Sequence, residues 1–199
     1  MLTIHRGTGV RVSDAPGCPV DRGYALVVSA DRIAAVGPYA ELYEEFGEGA
    51  RVREWSGTIV PGRHEPDGAA LLEHTYWPDP REAAELGTEP LTGDAVAALE
   101  MTDTRWGASA RRGLQRLLAS GTTSLSGELH RPSVRTAVQR SPLHHLPTAR
   151  AHTLEPSAPA DFAVFADDGT SLADDGTGLA DDGACLVTVL GGRLLYRRR

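Results

Sequence analysis

Apolar and polar positions alternate over short runs in the first part of the chain, and Gly, Asp and Pro separate these runs. The pattern is typical of β-strands, and it occurs in LTIHRGTGVRV, ALVVSADRIAAVG and RVREWSGTIVPG. Ala30 and Asp31 suit the turn of a hairpin. Between the strands, Pro38 suits a first helical position and Gly47 a stop, which predicts a short helix. The block from Leu2 to Gly62 is predicted to be mostly antiparallel sheet.

The middle of the chain changes to a helical period. Its apolar residues follow one stripe of a helix: Trp106, Ala110, Leu114, Leu117 and Leu118. Asp103 or Thr104 can cap the start of this helix, and Gly121 its end. The segment TTSLSG then predicts a strand, and PSVRTAVQR predicts a short helix that begins at Pro132. Helix, strand and helix in this order are typical of an α/β unit.

Prolines break the segment from Glu65 to Met101, in which only the part from Gly93 to Met101 is predicted to be helical. Toward the end of the chain, ADFAVFA predicts an apolar strand. The segment ACLVTVLGGRLLYRRR predicts a hairpin with Gly191 and Gly192 at its turn.

Three heptads, ADDGTSL, ADDGTGL and ADDGACL, begin at Ala166, Ala173 and Ala180. Asp and Gly also recur in calcium-binding loops, but such loops alternate their ligands along the chain and close with a Glu. The heptads carry paired Asp residues and lack that closing carboxylate. An expanded, solvated loop is therefore favoured over a calcium site.

The composition is that of a globular protein: 199 residues, 41% hydrophobic and 24% charged. An eightfold barrel commonly needs about 250 residues, more than this chain has. The net charge of −7 disfavours nucleic acid as a partner, since phosphate backbones require clustered basic side chains. The sequence contains no lysine, which excludes a lysine base, a Schiff base and a carbamylated lysine between metals.

Cys18 and Cys185 are far apart and fit no metal or redox spacing, so both are predicted to be free thiols in a reducing cytoplasm. The start, MLTIHRGTGV, lacks the pattern of a signal peptide. No run approaches the ~20 apolar residues of a membrane span. A soluble, cytoplasmic protein is expected.

Motifs near both ends of the chain resemble the amidohydrolase superfamily, in particular its imidazolonepropionase-like branch. RIAAVGP and TIVPG are similar to segments that lead into the family's barrel, and LEPSAPADFAVFA and VTVLGGRLLYRR to its closing strands. RWGASARRGLQRLLASGTTSL resembles the first barrel helix and the strand after it. The resemblance implies a small β-sandwich assembled from both termini, with a metal-binding (β/α)8 barrel inserted between them.

The metal ligands that the resemblance implies are not matched. Family members carry a His-x-His pair past the Pro-Gly, which points two imidazoles at one divalent metal. Counted from Pro61, these places fall on Asp67 and Ala69, and His64 has no partner two residues away. The bridging lysine is absent, and the chain between SGTTSL and LEPSAPADF is too short for the later strands. Most of the barrel is therefore predicted to be missing.

Two groups of residues remain as candidates for a site. The candidate metal ligands are His64, Glu65 and Asp67. The candidate pocket residues are His74, Trp77, Glu128 and His130. A zinc ion needs about three protein ligands, and no local spacing of the histidines demands one, since neighbours such as His144 and His145 point apart. Surface or hydrogen-bonded histidines are the favoured alternative.

Nucleophilic catalysis is a further alternative. Ser124 and Ser126 lie near His130 in the sequence, and Glu128 could orient that base, as in a hydrolytic triad. The sequence has neither a nucleophile elbow nor a Gly-rich oxyanion loop. Polar residues at the end of a strand are the default interpretation.

Together these patterns predict an α/β protein. Residues 1–60 and 154–199 are predicted to form a composite β-sandwich, and residues 61–153 a shortened α/β insert left from a (β/α)8 barrel. Such an insert would expose apolar surface, so a homodimer is expected. No membrane or nucleic-acid partner is expected, and the sequence does not identify a small-molecule ligand.

The functional hypothesis is a degenerate amidohydrolase-like protein that lacks metal-dependent hydrolysis, needs no cofactor and acts as a binding or assembly partner. The alternative is a hydrolase of C–N bonds in cyclic amides or amidines. It would use a divalent metal such as zinc, bound by His64, Glu65 and Asp67 together with ligands from a second subunit.

Overall fold

The computed structural model describes residues 1–149, 152–167 and 183–198. These residues form a mixed α/β fold with three sheets, and no sheet among them closes into a barrel. Most of the heptad repeat lies outside the described residues. The strands are β1 (Leu2–Arg6), β2 (Gly9–Val10), β3 (Asp21–Arg22), β4 (Tyr24–Ser29), β5 (Arg32–Pro38), β6 (Arg51–Glu54), β7 (Gly57–Pro61), β8 (Arg63–Glu65), β9 (Thr122–Leu125), β10 (His144–His145), β11 (Phe162–Ala166), β12 (Cys185–Leu190) and β13 (Arg193–Arg197).

Helices are concentrated in the middle of the chain. They are α1 (Tyr39–Phe46), α2 (Gly68–His74), α3 (Ala83–Leu86), α4 (Asp94–Ala97), α5 (Asp103–Ala119) and α6 (Pro132–Gln139). A single 3-10 turn, Pro80–Glu82, precedes α3. None of the helices in the described part of the chain is long and apolar enough to cross a membrane.

The chain divides into two compact units. The terminal unit contains Met1–Arg63, Leu118–Thr123 and Arg150–Arg199, and the central unit contains His64–Leu117 and Ser124–Ala149. Strands from both ends of the sequence thus enter one unit.

The terminal unit contains two sheets. One has four strands in the order β5-β4-β1-β6, and the other has six in the order β13-β12-β11-β7-β2-β3. Antiparallel pairs predominate, as the turns predict, but β1 pairs with β6 and β2 with β7 in parallel. The β1–β6 pair is parallel because α1 returns the chain from β5 to the far edge of the first sheet.

Both sheets contribute to one apolar core in the terminal unit. Leu26 and Val28 of β4 pack in the same cluster as Ile59 of β7 and Phe162 and Val164 of β11, and all five side chains are almost fully buried. Burial of a side chain of this size stabilises the fold by roughly 1.5–3 kcal/mol. This shared core holds together strands that are distant in sequence.

A buried histidine lies beside this core. His5 of β1 is 1% exposed, and its ring is stacked near Trp55 and meets Phe162 edge-on at a centroid distance of 4.9 Å. The indole Nε1–H of Trp55 donates to His5 Nδ1 at 3.2 Å. Burial, together with the charge of Arg53, lowers the pKa of His5 from 6.5 to about 3. His5 is therefore neutral at physiological pH.

In the central unit, helix α5 packs on α2 and the segment after it. Ser109 accepts a hydrogen bond from the Trp77 amide at 2.9 Å and donates one to the Thr75 carbonyl. A Cβ added at Gly113 would lie only 2.6 Å from Trp77 Nε1, so the glycine permits this close packing. Trp106 is 5% exposed, which confirms its prediction as a core residue.

The proline-broken segment is stabilised by a polar cluster in the central unit. The Tyr76 hydroxyl donates to Glu82, whose carboxylate also pairs with Arg105 at 2.9 Å. Arg112 Nε donates to the Trp77 carbonyl at 2.7 Å. Arginines of α5 thus hold a segment that has little regular structure of its own.

Most of the predicted elements are present. The hairpin at Ala30, the helix after Pro38, the strand TTSL and the closing hairpin at Gly191 are confirmed. Both cysteines are free thiols.

Two predictions of helix boundaries were wrong. The helix expected from Gly93 to Met101 is limited to α4, which ends at Ala97, and the next helix begins at Asp103. The cap of α5 is not Asp103 or Thr104: Thr102 Oγ1 accepts from the Arg105 amide at 3.2 Å.

Large exposed apolar side chains are few. In the described part of the chain they are Met1, Val20, Tyr43 and Leu194, and all four belong to the terminal unit. None of the large exposed apolar side chains lies among the described residues of 61–153, where such side chains are buried, as Leu72 and Leu125 illustrate, or partly buried, as at Leu146. Homodimerisation stays a prediction.

We expect acid to destabilise the protein through His5. Its pKa is about 3 in the folded chain and 6.5 in the unfolded chain, so only the unfolded state gains a proton as the pH falls below 6.5. Stability should fall by up to ~1.4 kcal/mol per pH unit in this window. Urea unfolding at pH 7.5, 6.5 and 5.5 should give a smaller pH dependence for His5→Gln. His74→Gln, which changes an exposed ring, should retain the wild-type dependence, and equal slopes for all three proteins would contradict the prediction.

Candidate functional site

His64 lies in the short strand β8 and is hydrogen-bonded at both ring nitrogens. Nδ1 is 2.9 Å from the hydroxyl of Ser124 in β9, and Nε2 is 3.2 Å from the hydroxyl of Ser126, just past the end of β9. Residues 124 and 126 are two positions apart in an extended chain and therefore share a face. The ring of His64 is thus held between two serines of the neighbouring strand.

The hydrogen bonds determine which nitrogen of His64 carries its proton. Ser126 Oγ donates its only proton to the Pro66 carbonyl at 2.9 Å. Toward the imidazole it can only accept, so Nε2 of His64 carries the proton. Nδ1 then has a free lone pair, and the Ser124 hydroxyl donates to it.

The electrostatics of the half-buried ring agree with this neutral form. Desolvation by burial lowers the pKa of His64 below its ordinary value of 6.5, and the charge of Glu65 acts in the opposite direction. His64 is therefore an uncharged base at neutral pH.

The other two candidate metal ligands are not directed at the same point as His64. Glu65 Oε1 accepts from the Asp67 amide at 3.2 Å, and Asp67 is exposed at the start of α2. Ala69 is buried inside α2, so the places that the resemblance assigns to a His-x-His pair are not alternate residues of one strand. A turn of helix has replaced the extended geometry that two metal-binding imidazoles would need.

No group of three His, Cys, Asp or Glu side chains among the described residues could hold a metal ion. Structural and catalytic zinc sites use at least three protein ligands. The ligand set His64, Glu65 and Asp67 is thus not assembled within the part of the chain that the structure describes.

A buried carboxylate organises the loop after β9. Glu73 of α2 is 3% exposed, and its Oε1 accepts from the amides of His130 and Arg131 at 2.7 and 2.6 Å. Charge-assisted hydrogen bonds of this length are among the stronger ones in proteins. Glu73 therefore fixes the loop that leads into α6.

This loop forms one wall of an open groove in the central unit, with a volume of about 730 Å³. Residues of the loop, of α6 and of the chain around β10 line it: Gly127, Glu128, Leu129, His130, Arg135, Gln139, His145, Leu146 and Pro147. An Arg135 N–H donates to the Leu129 carbonyl at 2.7 Å, and His145 Nε2 lies 2.8 Å from the Gly127 carbonyl. The groove is lined by both apolar and polar groups, and the bond to Leu129 anchors Arg135 within it.

The four candidate pocket residues do not form one pocket. Glu128 and His130 line the groove, with their side chains 4.0 Å apart. His74 is exposed at the end of α2, and Trp77 is buried against α5. The prolines around Trp77 suggest a loop that could line a pocket, but the Trp77 ring packs closely against Gly113 of α5.

The triad weighed as an alternative would join the serines to His130 and Glu128, but the imidazole that is hydrogen-bonded to both serines is His64. Their alternate spacing does place Ser124 and Ser126 on one face of a strand. The partner strand could not be inferred, since 60 residues separate His64 from Ser124. Only strand pairing brings them together.

Several larger enzymes of known structure match the chain in part. A. niger ochratoxinase matches with a TM-score of 0.49 at 20% identity, over 72% of this chain and 30% of its own. An adenosine deaminase from Xanthomonas campestris with bound zinc matches with a TM-score of 0.49 at 17% identity, over 76% of this chain and 36% of its own. E. coli guanine deaminase matches with a TM-score of 0.43 at 16% identity, over 69% of this chain and 32% of its own.

These solved proteins belong to the amidohydrolase superfamily. These matches concern part of the fold, and the membership of this chain in the superfamily and in its imidazolonepropionase-like branch stays a prediction. The chain spans about a third of the length of the structures that it matches. No protein-family model matches the sequence, and no curated protein does. The Xanthomonas campestris deaminase contains zinc, whereas the described residues of this chain include no group of three side chains that could bind it.

We expect Glu73→Ala to loosen the groove. The substitution leaves two amide groups, at residues 130 and 131, without their acceptor, which should cost roughly 2–4 kcal/mol. Hydrogen exchange measured by NMR should speed up at these two amides more than in α5. Glu128→Ala is the control, because it removes a carboxylate of the same loop that does not accept from these two amides. This variant should leave both exchange rates unchanged. Equal effects of the two variants would exclude this role of Glu73.

Proposed function

We propose that this chain is an amidohydrolase-like protein that does not hydrolyse C–N bonds with a metal and instead binds a small carboxylate in the groove of its central unit. The observation that carries the first part is the bonding of His64. Both of its ring nitrogens are engaged by serine hydroxyls, and one of these serines is itself anchored to the Pro66 carbonyl. A metal would have to displace one of these bonds.

The preference for a carboxylate is supported by the charges along the groove. Arg135 is anchored by its bond to Leu129, and Gln139 lies four residues later on the same face of α6. A guanidinium and an amide at this spacing can donate together to a carboxylate. The opposing charge of Glu128 is screened, since its side chain is 90% exposed. Leu129, Leu146 and Pro147 offer apolar contacts to the body of the ligand.

We also propose that the two sheets of the terminal unit form a β-sandwich of the kind the resemblance implies. The support is the core to which β4, β7 and β11 all contribute. In this proposal the terminal unit is a scaffold, and the binding function belongs to the central unit.

Metal content tests the first part of the proposal. Protein purified without a histidine tag should contain far less than one equivalent of zinc, iron, nickel or manganese by elemental mass spectrometry. His64→Ala should not change that content. A stoichiometric metal that is lost in His64→Ala, together with lost hydrolysis of a cyclic amide, would establish the metal-dependent alternative. Its presence only in a dimeric fraction would locate that site between subunits.

Binding of benzoate tests the second part. In a titration with benzoate, the NMR resonances of the amides of residues 127–131 and 145–147 should shift and reach saturation. Benzamide, the neutral counterpart of benzoate, should bind at least ~10-fold more weakly. Arg135→Gln should remove the difference between the two compounds. Arg140→Gln, which changes the residue directly after the same helix and outside the groove lining, should preserve it. Equal binding of both compounds to wild-type protein would refute the carboxylate preference.

A further inference from the structure

The hydroxyl of Ser124 is paired with a neutral imidazole and lies on the accessible part of its strand. We propose that Ser124 is a nucleophile and His64 its general base, in a metal-free acyl-transfer site that accepts activated esters. This activity is independent of the groove and of any metal.

The direction of the hydrogen bonds supports these roles. A general base needs a lone pair aimed at the proton it removes, at hydrogen-bonding distance. His64 Nδ1 meets that requirement at 2.9 Å from Ser124 Oγ, since Ser126 and the Pro66 carbonyl retain the other ring proton on Nε2. Ser126 thus orients the imidazole from behind, which is the place that a third group takes in catalytic triads.

Burial distinguishes the two serines. Ser124 is the only residue of β9 that is not buried, and Ser126 is 7% exposed. The proton of Ser126 is also committed to Pro66, whereas that of Ser124 faces a base. Ser124 can therefore meet a substrate, and Ser126 acts as a positioning residue.

The register of the sheet places a second imidazole near the nucleophile. His144 of β10 is the direct partner of Ser124 in the parallel pairing of β9 and β10. Side chains at paired positions lie on the same face of a sheet. Two histidines therefore flank Ser124, and the 2.9 Å hydrogen bond assigns the role of base to His64.

The reaction balances without a cofactor. Ser124 Oγ attacks the carbonyl carbon of an ester while its proton passes to His64 Nδ1. The C–O bond to the leaving alcohol then breaks, and the alkoxide takes that proton, which leaves an acyl-serine. Water then attacks the acyl carbon and gives one proton to His64 Nδ1. The bond between the acyl carbon and Ser124 Oγ breaks, Nδ1 returns the proton to Oγ, and the carboxylic acid leaves.

A fluorophosphonate probe tests the nucleophile directly. Ser124 Oγ attacks phosphorus, fluoride leaves, and the proton passes to His64. Intact-mass spectrometry should show one added probe per chain, and peptide mapping should locate it on Ser124. Ser124→Ala should abolish this addition, while Ser29→Ala, which changes an exposed serine without a neighbouring base, should retain it. An unlabelled wild type, or labelling spread over surface serines, would overturn the proposal.

The choice of base is tested with glutamine variants. His64→Gln can accept from Ser124 and donate to Ser126, so the local fold should persist, but it cannot take up a proton. Labelling should slow by ~100-fold or more, as loss of a general base predicts. His144→Gln should be labelled at the wild-type rate. The reverse result would overturn the role of His64.

Ser126 is tested by removal and rescue. Ser126→Ala deprives His64 Nε2–H of its acceptor and should slow labelling, and Ser126→Thr, which restores the hydroxyl, should recover most of the rate. Circular dichroism on each variant confirms that the fold is intact. A rate that does not respond to Ser126→Ala, or that Ser126→Thr fails to recover in a folded protein, would remove Ser126 from the site.

Discussion

The single proton of the Ser126 hydroxyl determines the state of the polar groups around His64. A hydroxyl has one proton to donate, and the Pro66 carbonyl takes it, so the imidazole must supply the next one. The lone pair of the other ring nitrogen then faces Ser124. One backbone carbonyl thereby sets the tautomer of His64 and the direction of the Ser124 hydroxyl, two residues before Ser126.

Two histidines are kept neutral by burial, with different consequences. His5 is enclosed by Trp55 and Phe162 in the terminal unit, where its nitrogen satisfies an indole N–H and its ring fills space in the core. His64 is only partly buried, and its nitrogens contact hydroxyls, one of which is accessible. Desolvation lowers both pKa values. The partly accessible hydroxyl of Ser124 distinguishes the surroundings of His64 from those of His5.

The metal site implied by the sequence motifs and the observed structure of the central unit differ in a specific way. The strand that would carry a His-x-His pair ends at Glu65, and α2 begins at Gly68. The side chains beyond it follow a helical instead of an extended period, so they cannot converge on one ion as alternate strand residues would. Glu73, in that helix, binds two backbone amides of the loop that leads into α6.

Local patterns in the sequence determined the short elements. The hairpin at Ala30, the stripe of α5 that ends at Leu117, and the turn at Gly191 follow from turn residues and apolar period, which act over a few residues. The tertiary structure decided the pairing of β8 with β9, the burial of Trp77 against Gly113, and the meeting of His64 with Ser124. These contacts join residues tens of positions apart, and strand order is set by which apolar faces bury each other, which no local period encodes.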